Sequence, residues 1–216
     1  MNFRSPIILI IVVVAIFSVI GWAYYDNWQT KKSQEKATAT QTATEQPVSN
    51  LTNVDPTDFD SAVKKEFALA NEKAAAVNPN YKLSTIEVEI DKDLLPESTN
   101  TRYVFSAPDD TLNNWMITIS QVSGNYIRAL VPKTDYLGSP ELINTSLWKY
   151  NYVTALQLAE QNGGLDWREK NTLSSLKLTL RHSGTNNWLL WIVEYTGVDS
   201  NLTVKLDANS GKVVTE

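Results

Sequence analysis

Asn113-Asn114-Trp115-Met116-Ile117-Thr118-Ile119 and Asn186-Asn187-Trp188-Leu189-Leu190-Trp191-Ile192-Val193 are two versions of one stretch, an Asn-Asn-Trp triplet opening an apolar run. A helical pattern and an alternating strand precede each copy, and another alternating strand follows each. Neighbours repeated in the same order imply a repeated structural unit, and the fold is read outward from these two runs.

In the first unit, Thr57 or Asp58 can cap a helix, and Asp58 and Asp60 suit its positive N-terminal end. Phe59, Val63, Phe67, Ala70, Ala74 and Val77 then recur at steps of three and four, one apolar helical face. Asn78-Pro79-Asn80 ends it, because proline cannot continue the ladder. Ile86, Val88 and Ile90 alternate with Thr85, Glu87 and Glu89 as a half-buried strand. Asp91 to Asn100 reads as a polar loop and Thr101 to Ser106 as a short strand. Trp115 to Ser120 pairs through a Ser123-Gly124-Asn125 hairpin turn with Tyr126 to Val131.

The second unit repeats the order. Asn144, Thr145 or Ser146 can cap a helix that carries Trp148, Tyr152, Ala155, Leu156 and Ala159 on one face. Asn162-Gly163-Gly164 stops it. Leu176, Leu178 and Leu180 alternate as a strand, and Ser183 to Asn186 turns. Trp188 to Tyr195 is apolar on both faces, so it reads as a central strand, with the other unit or a partner on its second face. Leu202, Val204 and Leu206 alternate before the turn Asp207 to Gly211. The expected fold class is α+β: two tandem helix-plus-antiparallel-sheet units, residues 57–138 and 139–216, preceded by one N-terminal transmembrane helix.

The small-residue helix Val153-Thr154-Ala155-Leu156-Gln157-Leu158-Ala159 before Gly163-Gly164, and the ending Leu202 to Val214 with its Asp207-Ala208 turn and Gly211-Lys212-Val213, give the second unit a shared pattern: over residues 142–216 it resembles a PepSY domain. The first unit has Pro132 to Gly138 where that ending belongs, so its membership rests on the repeat. The resemblance implies a non-catalytic module that binds proteins or peptides at the cell envelope, including restraint of a protease. It supplies no catalytic residues to carry over.

Ahead of the units, Pro6 to Tyr25 is apolar and free of charge. About 20 residues at roughly 1.5 Å each cover a bilayer core. Trp22, Tyr24, Tyr25 and Trp28 form an interfacial aromatic cluster at its end. They occupy the zone where a signal peptide needs small residues, so residues 1–25 read as an uncleaved single-pass anchor with a cytoplasmic N-terminus. Residues 26–56 read as a flexible polar linker, because a segment so poor in apolar residues cannot offset its ordering entropy. The C-terminal domain is then extracytoplasmic at the cell membrane, and it has no cysteine to staple it.

The chain has 19 basic and 24 acidic side chains, net −5, interspersed and without the basic stripe that neutralises phosphates, so no nucleic-acid partner is expected. His182 is the single histidine, read as a solvated turn residue, and no Gly-x-Ser-x-Gly surrounds a serine. Asp91, Asp93, Asp109 and Asp110 read as solvated loop acids; Glu87 and Glu89 share a strand face that points to water. Catalytic, cofactor-binding and metal-ligating residues are accordingly expected to be none. Of Trp115, Trp148, Trp167, Trp188 and Trp191, most are expected in the core, because large rings dominate burial, while one or two form a binding face; partner contacts are assigned to Trp115, Trp188, Leu190 and Trp191. The expected activity is binding of an envelope protein or peptide. The competing expectations are a structural part of an envelope membrane complex and, last, an envelope hydrolase.

Overall fold

The computed structural model describes residues 50–120, 125–134, 141–183 and 188–215. The expected membrane span, residues 26–49 of the tether, the Ser123-Gly124 turn and the Asn186-Asn187 pair lie outside the described residues. No helix among the described residues is long and apolar enough to cross a membrane.

Helix α1 (Asp60–Ala75) follows a 3-10 turn at Pro56–Phe59, which Asp55 caps by accepting from the Thr57 N–H at 2.9 Å. Four strands come next: β1 (Lys82–Ile90), β2 (Asn100–Ser106), β3 (Asn113–Ser120) and β4 (Tyr126–Pro132). A crossing segment leads to α2 (Tyr152–Ala159) and α3 (Leu165–Lys170), and the chain closes with β5 (Leu173–His182), β6 (Leu189–Gly197) and β7 (Asn201–Asp207). The strands form one antiparallel sheet in the order β4-β3-β2-β1-β5-β6-β7. The architecture is mixed α+β. The two sets of strands meet edge to edge, with Ile86 opposite Leu180 and Val88 opposite Leu178.

The helices cover one face. Ile86, Val88, Tyr103, Phe105, Ile117, Leu178, Leu180, Trp191, Val193 and Tyr195 point into that core with Val63, Ala70 and Ala74 of α1 and Val153 and Leu156 of α2. Alternation carries the reading, since side chains two apart share a face. β6 is an interior strand, and Leu190 and Ile192 on its second face are buried as well.

Three features differ from the sequence reading. Asn50 to Pro56 is packed, although the linker was expected to run to residue 56. Leu51 is fully buried and donates its N–H to the Leu94 carbonyl at 2.9 Å, while the Gln157 amide donates to the carbonyls of Leu51 and Val54 at 3.0 and 2.8 Å. Second, α2 starts at Tyr152, so Trp148 precedes it. Asn151 is its N-cap, accepting from the Thr154 N–H at 2.9 Å; Asn144 caps only a 3-10 turn. Third, Asn162-Gly163-Gly164 breaks the helix without ending it. Gly163 takes φ 107°, a left-handed value that glycine adopts cheaply, and the helix formers Leu165 to Lys170 resume as α3.

Candidate binding cleft

Between α1 and the segment Thr145–Asn151 lies a cleft of about 210 Å³, lined by Val63, Phe67, Trp148 and Tyr150, with Asp60, Lys64 and Lys149 around it. Its walls are held from several directions. The Phe67 and Trp148 rings meet edge to face at 5.7 Å. The indole N–H groups of Trp148 and of Trp191 both donate to the Tyr150 carbonyl, each at 2.9 Å. The Lys149 N–H donates to the Ala208 carbonyl at 3.1 Å. Asn151 closes one end, donating to Asp60 Oδ1 at 2.7 Å and to the Pro56 carbonyl at 2.8 Å. An extended backbone at Trp148 leaves the Tyr150 carbonyl free for two indoles, whereas a helix through this segment would consume it.

The cleft floor is apolar and its lysines are exposed. Its volume is below the roughly 300–1,000 Å³ typical of small-molecule pockets, and suits one large apolar side chain at a time. Below it, the Tyr103 hydroxyl donates to Glu66 Oε2 at 3.4 Å. Burial first, and then the Glu66 carboxylate, push the hydroxyls of Tyr103 and Tyr152 far above the ordinary phenol range, so both stay protonated.

The four residues assigned to a partner face do not come together as one surface. Trp191 and Trp115 belong to the helix-side core, at 1% and 8% exposure. Leu190 is buried on the opposite face, and Trp188 is exposed at 42%. Trp148 and Phe67 carry the aromatic wall instead. The sequence placed them on two separate helix faces, and only the tertiary pairing brings them together.

The opposite sheet face holds an ion-pair belt. Arg102 of β2 grips Glu89 through both oxygens, at 2.7 and 2.8 Å. Glu87, expected in water, is 5% exposed and meets Lys177 of β5 at 2.7 Å and Arg102 at 3.4 Å. Register explains this, since Glu87 lies between Arg102 and Thr179 at the centre of the sheet, with Lys177 one diagonal step away. Asp109 and Asp110 are bonded rather than simply solvated. Asp109 accepts from the amides of Asn78 and Asn80, and Asp110 from the Tyr81 hydroxyl at 2.7 Å and the Asn113 N–H at 2.8 Å; these bonds hold both carboxyls below their usual values. His182 closes β5 rather than sitting in a turn; its buried Nδ1 has no hydrogen-bond partner among the described residues. Among the described residues no group of three acidic, histidine or cysteine side chains could hold a metal ion.

No family model and no curated protein matches the chain. Among solved structures, a Clostridium difficile 630 protein provisionally classed as a lipoprotein is similar, at a TM-score of 0.43 and 9% identity, over 69% of this chain and 90% of that one. A likeness so remote carries no argument about function.

Proposed function

We propose that this chain is a membrane-tethered, extracytoplasmic PepSY-like protein that binds a protein or peptide at the cell envelope and restrains its partner, a protease among the candidates. The observation that carries the reading is the Phe67–Trp148 cleft: a small apolar slot framed by Lys64, Lys149 and Asp60, shaped for one anchoring side chain of a polypeptide. The charge-free run Pro6 to Tyr25 and the polar stretch after it support the tether. The order of helix then antiparallel meander, which occurs twice along the chain, supports descent from a duplicated unit.

A photoreactive residue in place of Lys64, introduced into the full chain in its native membrane, tests the reading. It should yield a discrete adduct with one extracytoplasmic protein or peptide, lost in Phe67→Ala and Trp148→Ala. Absence of an adduct, or turnover abolished by His182→Ala, would overturn it.

A further inference from the structure

The two edges of the sheet differ. Beside β7, Val213 forms an antiparallel bridge with Leu206, and the Val214 N–H donates to the Lys205 carbonyl at 2.9 Å. The C-terminal tail thus shields that edge. β4 is the other edge, and no described strand lies beside it.

Its free backbone groups can be read from the register. The Lys133 N–H donates to the Leu112 carbonyl at 2.8 Å, and the Ser120 N–H to the Asn125 carbonyl at 3.2 Å. Bonded pairs alternate along an antiparallel ladder, so Ile127, Ala129 and Val131 bond inward to Thr118, Met116 and Asn114. The N–H and C=O groups of Tyr126, Arg128 and Leu130 therefore face outward, until Pro132 ends the row of donors. Their side chains are also open: Tyr126 is 39% and Leu130 54% exposed, and Ile127 on the other face is 73% exposed.

A straight row of alternating donors and acceptors at a two-residue period is matched by another extended backbone. Charge selects between occupants. Arg128 sits midway between the two apolar side chains. A second copy paired symmetrically about this row would set Arg128 against Arg128, which is unfavourable for directly opposed residues. We propose that β4 is a docking edge for an extended, antiparallel segment of a different protein, with a carboxylate opposite Arg128 and apolar side chains opposite Tyr126 and Leu130. This edge is separate from the Phe67–Trp148 cleft and does not depend on it.

The test uses the full chain in nanodiscs and a fluorescent probe peptide, Thr-Val-Thr-Glu-Thr-Val-Thr, beside its Lys-for-Glu counterpart. The acidic peptide should bind, and should slow amide exchange at Tyr126, Arg128 and Leu130. Arg128→Glu should weaken it about ten-fold and restore binding to the lysine peptide, a swap that a merely misfolded variant cannot produce. Arg128→Pro, which removes one outward donor and no bond to β3, should weaken both peptides. The proposal is overturned if those three amides stay unprotected, if Arg128→Glu leaves both affinities unchanged, or if Phe67→Ala abolishes binding while Arg128→Glu does not. A concentration-dependent dimer protecting the same amides would replace the foreign segment with a second copy, and so also overturns it.

Discussion

The Tyr195 hydroxyl, carried by β6, donates to Glu160 at 2.9 Å across the break between α2 and α3. Arg168 of α3 grips the same carboxylate through Nε, at 3.0 and 3.1 Å. The break is therefore held closed by a buried carboxylate bonded from a strand and a helix at once.

Gly164 makes that closure possible. A Cβ there would run into the Tyr195 ring and hydroxyl and lie 2.9 Å from the Ala159 carbonyl. Gly164→Ala should cost about 1–3 kcal/mol by overpacking, read as a lower urea midpoint. Gly163→Ala should cost about 1–2 kcal/mol, from its left-handed φ alone, because nothing lies within 4 Å of its Cβ position. Tyr195→Phe should recover part of the Gly164→Ala loss, giving a double-mutant coupling with Gly164 and none with Gly163.

The Glu87 belt ties β1 to β5 and so joins the two sets of strands. Glu87→Gln should cost about 1–3 kcal/mol; the Glu87 side chain is 7% exposed, while Lys177 at 40% and Arg102 at 31% are partly relieved by water. Glu89→Gln should change stability by less than about 1 kcal/mol, because Glu89 is 45% exposed. Chemical denaturation of the two variants side by side reads the difference, and equal effects would contradict this ranking.

Alkaline pH should weaken the fold through Tyr81. Burial first, and then its bond to Asp110, push its pKa up to about 12. An unfolded tyrosine titrates near about 10, so between those values the folded chain holds a proton that the unfolded chain has lost. The stability linked to this protonated, buried hydroxyl is complete below about pH 10 and is lost as pH rises toward 12. Tyr81→Phe should flatten the fall of the urea midpoint over that window. Asp109 and Asp110, both lowered, contribute in the opposite direction: their stabilisation is present above about pH 4 and is lost as pH falls further.

Gln157 should control the order of the segment before α1. Its amide holds the carbonyls of Leu51 and Val54. Gln157→Ala should speed amide exchange at Leu51, whose N–H donates to Leu94, by at least about ten-fold, with little change in the strands. Unchanged protection at Leu51 would show that burial of its side chain is enough.

Much of this fold was legible because alternation names the core face directly. Ile86, Val88 and Ile90, and Leu176, Leu178 and Leu180, are buried as their period requires. Alternation does not say which edges pair, so the seam from β1 to β5 and the burial of Glu87 within it were hidden. Trp148 falls in phase with Tyr152 and Ala155, so it reads as helical; the bond from its indole to the Tyr150 carbonyl is a tertiary choice that periodicity cannot register. The packed Asn50–Pro56 segment was missed for a similar reason, since its partner Gln157 lies a hundred residues away. Most large rings are expected in the core, where Trp115 and Trp191 lie; the aromatics around the opening are Phe67, Trp148 and Tyr150, whose grouping no periodicity shows.

The cleft is the centre of the functional account, and peptide selection tests it most directly. A random peptide library panned on the full chain in nanodiscs should enrich sequences sharing one large apolar anchor beside a carboxylate, which the cleft and its exposed Lys64 and Lys149 would accept. Enriched peptides should quench Trp148 fluorescence and bind Trp148→Ala at least about ten-fold more weakly. No enrichment, or peptides that bind wild type and Trp148→Ala alike, would contradict the claim that this slot is where the protein meets its partner.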